Sequence, residues 1–198
     1  MTSEGRDELM AATSISGARP SADRLAMHRA GLWLFIISES FLFAAFLSAR
    51  YYLTGFDKPP ELSLVLGLVL TAVLAASSVT AKGADTALAE GRGSACANWL
   101  VASAALDLLF VAGVLAVEWP AAFAHFPIGT AFGTAFLSLT GLHAFHVVSG
   151  AVVLLLAAAA VRRGTITRDA PWGGQRAVIY AIFVDVMWLF IFATLYVL

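Results

Sequence analysis

Five long apolar segments constrain the fold of this chain more than any other feature of its sequence. They cover residues 31–53, 62–81, 97–117, 131–161 and 177–198, and a helix that crosses a bilayer needs about 20 such residues. Within each segment, apolar residues occupy every side of the chain and do not alternate with polar ones. The segments therefore predict helices and not the strands of a membrane barrel. The sequence therefore predicts an all-α, polytopic membrane protein, a bundle of five transmembrane helices.

The composition excludes several other classes of protein. Of the 198 residues, 60% are hydrophobic and only 13% are charged. That is about half the charge of an ordinary soluble domain, which excludes a soluble single-domain enzyme. The formal net charge of -1 leaves no basic surplus for binding phosphates, which excludes a nucleic-acid partner. Cys96 is the single cysteine, so an internal disulfide, a thiolate zinc site and an iron–sulfur cluster are excluded as well.

The basic residues set the expected orientation. We expect residues 1–30, which are polar, to form a cytoplasmic tail and residues 31–198 to form the membrane domain. With the N-terminus inside, ten of the 12 lysines and arginines lie in inside segments, and two, Arg50 and Lys58, lie outside. The ten are Arg6, Arg19, Arg24, Arg29, Lys82, Arg92, Arg162, Arg163, Arg168 and Arg176. Cytoplasmic loops carry such an excess, so the prediction is N-terminus in and C-terminus out.

Two connections and one group of small residues carry further expectations. Residues 82–95 are rich in glycine and in charges of both signs, and we expect a flexible hydrophilic turn there. Residues 118–129 hold Pro120 and Pro127, and we expect this segment to lie along the outer surface. Small residues of the second apolar segment, such as Ser77, permit close helix packing, either inside the bundle or against a larger membrane subunit.

Five ionisable side chains fall inside the apolar segments, where such groups are costly and face protein, water or a partner charge. They are Glu39, Asp107, His143, His146 and Asp185. With a rise of about 1.5 Å per residue, the three carboxyls lie at a similar depth from the inner ends of their helices. The two histidines are three residues apart and share one helix face. A contact between Glu39 and that face is compatible with the spacing.

Glu39 and the two histidines each have a structural and a functional interpretation, whereas Asp107 is expected simply to face a partner subunit or a small water pocket. Glu39 is either a protonated carboxyl hydrogen-bonded to Ser38, Ser40 or nearby backbone, or a group that handles protons. His143 and His146 either link helices through hydrogen bonds or, with a carboxylate nearby, hold a divalent metal ion. They cannot supply axial ligands from opposite sides of a haem, because both lie on one helix face. We therefore predict no catalytic residue, no metal site and no cofactor in this chain.

Three motifs in the apolar segments stand out together. Residues 31–43 read GLWLFIISESFLF, residues 140–150 read TGLHAFHVVSG, and residues 180–190 read YAIFVDVMWLF. The first is similar to a helix with an intramembrane glutamate, the second to the signature T-G-x-H-x-x-H-V-x-x-G, and the third to a terminal Y-W-H-F-V-D-x-V-W, all found in one family. That family is subunit III of the haem-copper respiratory oxidases, and the resemblance covers residues 28–198.

The resemblance implies a non-catalytic subunit of a proton-pumping terminal oxidase, with cytochrome c oxidase preferred over quinol oxidase. Such a subunit, here in its short five-helix form and in the inner membrane of a bacterium, carries no haem or copper; those belong to partner subunits. It packs against the catalytic subunit I and other oxidase subunits, binds phospholipid among the membrane lipids, and supports proton uptake. Membership of a respiratory supercomplex is left open.

The resemblance also implies roles for individual residues. Glu39 would be the buried carboxyl, and the associated polar set would be His143, His146 and Asp185. We add Asp107 to the groups that we relate to protons or lipid. The residues of the family signature are Trp33, Gly141, Tyr180 and Trp188. One departure stands at Ala181-Ile182, where the family has Trp-His, and it removes a polar contact from the last helix.

Two other functions fit parts of the same pattern. A related subunit that accompanies nitric oxide reductase would share these helices, and nothing in the residues separates it from an oxidase subunit. A small proton-coupled transporter would use Glu39, Asp107 and Asp185 as its site. Such transporters are built from inverted repeats and broken helices, and the sequence shows neither, so the oxidase interpretation is preferred.

Overall fold

The computed structural model describes the backbone of residues 3–56 and 62–198, and side chains from residue 24 onward within those ranges. The α-helices are α1 (Ser3–Thr54), α2 (Leu64–Ala89), α3 (Gly93–Gly113), α4 (Trp119–His125), α5 (Ala131–Arg162) and α6 (Trp172–Phe192). Two π-helical turns follow α3 and α6, at Val114–Glu118 and Ala193–Val197.

Five stretches of these helices are long and apolar enough to cross a membrane. They are Arg24–Thr54, Leu64–Ala89, Gly93–His125, Ala131–Arg162 and Trp172–Val197. Within the described ranges this confirms the predicted all-α bundle with five membrane-spanning helices. Four of these stretches extend several residues beyond their apolar segments at one or both ends, and Ala131–Arg162 extends one residue beyond its segment. The orientation of the bundle stays a prediction.

The chain divides into two compact units between Glu39 and Ser40. In the first unit, α1 is helical from Ser3, so the helix begins well inside the segment that we assign to a cytoplasmic tail. Near the end of this unit Trp33 is exposed and Ile36 is buried. The division into a tail of residues 1–30 and a membrane domain stays a prediction.

The second unit buries two clusters of side chains that differ in size. The large side chains of the first include Phe43, Phe110, Phe136, Leu139, Trp188 and Ile191. The second is rich in alanine and includes Ala84, Ala97, Leu100, Leu154, Ala158 and Ala177. Small side chains let helix backbones approach closely, whereas aromatic rings fill wider spaces at high packing density. The second unit is therefore closely packed through small side chains at one end and filled by aromatic rings at the other.

A connection of three residues, 90–92, joins α2 and α3 into a hairpin. Gly91 takes a positive φ of 76°, which a glycine adopts without strain. The amide of Arg92 then donates to the carbonyl of Ala87 at 2.8 Å. This closes the C-terminal end of α2 as glycine-ended helices commonly do.

The expectation of a flexible turn over residues 82–95 is wrong, because α2 runs on to Ala89. Gly83 does not break the helix. A Cβ at this position would lie 3.2 Å from a ring carbon of Trp99 on α3. The glycine thus serves the close approach of two helices, and only the residues around Gly91 form the turn.

The first part of residues 118–129 is helical, and its expected place along the outer surface stays a prediction. The helical path of α3 continues through the π-helical turn Val114–Glu118 into α4. Pro120 stands in the first turn of α4, directly after the π-helical turn; proline and such turns are both common causes of a bend in a helix. The chain then turns, and α5 begins after Thr130, whose side-chain oxygen accepts the amide of Gly133 at 3.1 Å.

Candidate functional site

His143 lies at the centre of a group of aromatic rings. Its side chain, on α5, is fully buried. The imidazole stacks on Trp188 of α6 with ring centroids 5.3 Å apart, and it meets Phe110 of α3 edge to face at 5.5 Å. Phe43 of α1 lies 6.2 Å away. The ring of His143 therefore joins four helices by packing.

No hydrogen-bond partner reaches either ring nitrogen of His143 from the described residues. The expected hydrogen bond to another helix is thus wrong for this histidine in that part of the chain. An aromatic surround explains the difference, since rings attract one another edge to face and offset-stacked. The price of this arrangement is a buried polar group without a partner, roughly 1–3 kcal/mol. We infer that the ring shape of residue 143 matters more than its hydrogen bonds.

His146, one turn further along α5, makes a defined hydrogen bond within its own helix. Its Nδ1 is 2.8 Å from the carbonyl oxygen of Leu142. Because a carbonyl only accepts, Nδ1 must donate, and in a neutral imidazole Nε2 is then the acceptor. Phe43 lies 5.0 Å from this ring as well. One phenylalanine of α1 therefore contacts both histidines of α5.

Asp107 is buried between α2 and α3 in a network of hydroxyls. Ser77 of α2 donates to its carboxyl at 2.5 Å. The hydroxyls of Ser77 and Ser103 are 2.9 Å apart, and Ser103 also donates to the backbone carbonyl of Ser77 at 3.2 Å. The carboxyl of Asp107 thus ties the two helices of the hairpin together.

Asp185 of α6 is held by the next residue of α2. Ser78 donates to its carboxyl at 2.6 Å. Asp185 also lines a cavity of about 230 Å³ between α2 and α6, together with Thr71 and Trp188. The indole N–H of Trp188 donates to the hydroxyl of Thr71 at 2.9 Å. Asp185 and Trp188 therefore both fasten α6 to α2.

Adjacent serines of α2 thus bind carboxyls from two different helices. Neighbouring residues differ by about 1.5 Å along a helix, so Asp107 and Asp185 lie at one level, in agreement with their expected similar depth. Trp188 lies three residues after Asp185 on α6, and its ring stacks on that of His143. Two carboxyls and a histidine are therefore parts of one buried layer.

Glu39 belongs to the first unit, where its side chain is half-buried. Its contact with the histidine face stays a prediction. Trp33, a residue of the family signature, lies in the same unit with 55% of its surface exposed. Its packing role likewise stays a prediction.

The other signature residues lie in contacts between helices. A Cβ on Gly141 would lie 3.7 Å from the ring of Trp119. Tyr180 shares a hydrogen bond of 2.7 Å with Ser149 of α5. Ala181, which stands where the family has tryptophan, is buried in the alanine-rich cluster.

Three side chains of the second unit have contacts that the sequence does not predict. In the sequence Ser77 is expected to be a small residue that permits close packing, but its hydroxyl donates a hydrogen bond to the carboxyl of Asp107. Phe43 stands out in the sequence only as part of a motif. Arg50, expected outside the membrane, is fully buried with its guanidinium over the ring of Phe132 at 5.6 Å. Two signals in the sequence could have indicated these contacts. One is a serine within the apolar segment of α2, and the other is an arginine near the end of α1.

The layer offers no obvious metal site. In the described ranges, no three histidine, cysteine, aspartate or glutamate side chains are grouped so that they could hold an ion. The nitrogens of His143 face rings, and Nδ1 of His146 is engaged with backbone. The arrangement is suited to fixing helices against one another.

Comparisons with known proteins identify the family. The family model described as Cytochrome c oxidase subunit III matches residues 5–198. The chain is 32% identical over 181 residues to cytochrome c oxidase subunit 3 of Squalus acanthias, covering 85% of this chain and 68% of that protein. The protein of the same name from Triticum aestivum is 30% identical over 204 residues, with 96% and 75% covered. That from Synechocystis sp. is 29% identical over 178 residues, with 85% and 74% covered. The resemblance seen in the motifs is thereby confirmed, and this chain belongs to the cytochrome c oxidase subunit III family.

Proposed function

We propose that the chain is the non-catalytic subunit III of a proton-pumping haem-copper terminal oxidase, with cytochrome c as the electron donor. In this role it stabilises the catalytic subunit, binds phospholipid and supports proton uptake in the inner membrane of a bacterium. The haem and copper of the reaction belong to partner subunits. The relatives supply the name of the complex, and the buried layer supplies the physical basis for the role.

The single observation that carries the proposal is the meeting of the three motifs in one cluster. Phe43 of the first motif contacts both histidines of the second, and Trp188 of the third stacks on His143. Residues that identify the family thus act as packing and hydrogen-bonding groups. A chain whose distinctive residues hold helices together is suited to a structural role beside a catalytic subunit.

An apolar outer surface supports the packing of this chain against a larger membrane subunit. Large side chains of the second unit point away from its core, among them Phe41, Val65, Phe145 and Leu156, each more than half exposed. In a bilayer such a surface faces lipid tails or another apolar protein. We assign part of it to the catalytic subunit and part to lipid.

A second cavity supports the binding of phospholipid headgroups. It measures about 230 Å³, and Asp85, Arg168, Pro171 and Gln175 are among its lining residues. The guanidinium of Arg168 is suited to a phosphate, with which arginine forms paired hydrogen bonds. This cavity lies at the end of the bundle that the positive-inside rule places in the cytoplasm.

Copurification tests the proposal. The tagged chain is purified from its native membrane in mild detergent, and its partners are identified by mass spectrometry and by haem and copper analysis. The proposal predicts a stoichiometric haem-copper subunit. A partner with haem and non-haem iron would instead make the chain a reductase subunit. Purification of the chain alone, with transport activity in vesicles, would refute both.

Glu39 provides the test of proton support. Glu39→Gln keeps the shape and hydrogen-bonding capacity of the side chain, whereas Glu39→Ala leaves its former partner unsatisfied. We expect Glu39→Gln to keep the initial oxidase rate and Glu39→Ala to shorten the active lifetime of the complex during turnover. Glu90→Gln, at an exposed carboxyl paired with Arg92, is the control. Immediate loss of all activity in an intact Glu39→Gln complex would mean that Glu39 carries obligatory protons.

A further inference from the structure

Two buried polar side chains meet at a small cavity in the second unit. Glu118 ends the π-helical turn Val114–Glu118, and Tyr196 lies in the other turn, Ala193–Val197. They are only 2% and 1% exposed. Both line a cavity of about 40 Å³, and Ser63, the residue before α2, lines it too. The cavity is therefore shared by α2, α4 and the C-terminal turn.

Three side-chain oxygens at this cavity are unpaired. Both carboxyl oxygens of Glu118 and the hydroxyl of Tyr196 lack a hydrogen-bond partner among residues 24–56 and 62–198. Buried polar groups in folded proteins are hydrogen-bonded in the large majority, and a group left over commonly marks a bound water or ion. Two such groups at one cavity point to a ligand that bonds both.

The size and walls of the cavity select the ligand. A water molecule needs roughly 10–15 Å³ of such space and two to four polar partners. By that measure the cavity of about 40 Å³ takes about three waters. Glu118, Tyr196 and Ser63 provide the polar partners, while the remaining lining residues are leucines and alanines. A hard cation such as calcium takes 6–8 oxygen ligands, more than these three side chains provide.

The backbone at the site is unusual in a way that favours a specific purpose. π-helical turns are rare, and they occur frequently at functional sites. Glu118 and Tyr196 each stand on such a turn. An extra residue in a helical turn changes the direction of the side chains after it. Both residues thus stand on irregular turns and line the same cavity.

We propose that Glu118 and Tyr196 bind a cluster of water in this cavity, which bridges the carboxyl and the phenol. A water donates and accepts, as do a phenol and a protonated carboxyl, so the cluster satisfies all three unpaired oxygens. Ser63 and Ala121, both exposed lining residues, form its mouth. The site does not depend on the oxidase role proposed above.

Radiolytic labelling tests the site on the purified membrane complex that contains the chain. A short X-ray pulse in ¹⁸O-enriched water creates hydroxyl radicals, which label a buried side chain only where water touches it. We expect Tyr196 to be labelled far faster than Tyr180, which is 9% exposed but is hydrogen-bonded to Ser149. Exposed Tyr52 gives the upper reference.

Variants separate a water cluster from a dry cavity and from a bound cation. Glu118→Gln keeps a polar partner and should keep the labelling of Tyr196, whereas Glu118→Leu should reduce it to the rate of Tyr180. Ala121→Leu fills the mouth without removing a polar group and should reduce it as well, so the test stands even if Glu118→Leu fails to assemble. Labelling of Tyr196 no faster than that of Tyr180 in the unmodified chain would refute the proposal. Labelling that changes when sodium is replaced by choline would show a cation site instead.

Discussion

Removing the hydroxyl of Ser77 should loosen the hairpin of α2 and α3 more than any neighbouring serine change. Ser77 donates to the carboxyl of Asp107, which is 2% exposed, and also contacts Ser103. In Ser77→Ala the carboxyl keeps its buried position but loses this donor. Ser78→Ala is the matched control, because it removes the same group one residue further along α2.

The expected magnitude follows from burial. Leaving a buried polar group unsatisfied costs roughly 1–3 kcal/mol, and hydrogen bonds between membrane helices contribute about 0.6 kcal/mol on average and about 1.7 at most. For Ser77→Ala we therefore expect a loss of about 1–2 kcal/mol in the free energy of unfolding. Ser78→Ala should cost about 0.5 kcal/mol, because Asp185 borders a cavity of about 230 Å³ and can bind water there.

The assay is reversible unfolding in mixed micelles, in which the purified chain is titrated with a denaturing detergent and helix content is followed by circular dichroism. A double-mutant cycle with Asp107→Leu isolates the coupling of the two side chains, expected at about 1 kcal/mol. A coupling below about 0.3 kcal/mol would be within the usual additivity error and would refute the reasoning. So would a Ser78→Ala loss equal to that of Ser77→Ala.

Three further predictions concern packing, topology and cofactors. Gly133→Ala places a Cβ 2.5 Å from a backbone oxygen and should lower the unfolding free energy by more than about 1 kcal/mol. A Cβ on Gly31 would meet nothing within 4 Å, so Gly31→Ala should raise the unfolding free energy by about 0.5 kcal/mol, because alanine favours the helix more than glycine does. Equal changes in thermal unfolding for the two variants would contradict this. Single cysteines at Ser94 and Thr167, in a chain with Cys96→Ala, should react with an impermeant thiol reagent from the same side; opposite sides would refute the five-span topology. The chain purified alone should show no haem spectrum and no stoichiometric copper by metal analysis, and a protein-ligated haem would overturn that expectation.

The spans could be predicted because length and hydropathy decide them, whereas the connections depend on contacts that the sequence does not reveal. Gly83 is a residue type that favours turns, yet it lies inside α2, where its lack of a side chain leaves room for the ring of Trp99. Pro120 is a residue type that usually ends a helix, yet the helical path continues through it, with a π-helical turn directly before it. Local propensity was in both cases overridden by packing or by position within the helix.

The site was predictable in its residues but less so in its contacts. Intramembrane cost singles out Asp107 and Asp185 directly. Their partners were hidden, because a serine on a helix is consistent with close packing as well as with donation to a carboxyl. His143 shows the opposite difficulty: its polarity suggested a hydrogen bond, and its surroundings are aromatic. Whether such a side chain packs or forms a hydrogen bond depends on the direction in which it faces. Helical spacing alone does not give that direction.

The contacts of Ser77 and Ser78 also indicate the order in which the helices of this chain can pack during synthesis. Ser77 and Asp107 are 30 residues apart in the sequence, whereas Ser78 and Asp185 are 107 apart. Closing a short loop costs less entropy than closing a long one, and a chain made from its N-terminus has its hairpin of α2 and α3 long before α6 exists. Asp107 can therefore be satisfied during synthesis. Ser78 must wait, with a lipid or a water as its partner, until the last helix enters the membrane and delivers Asp185.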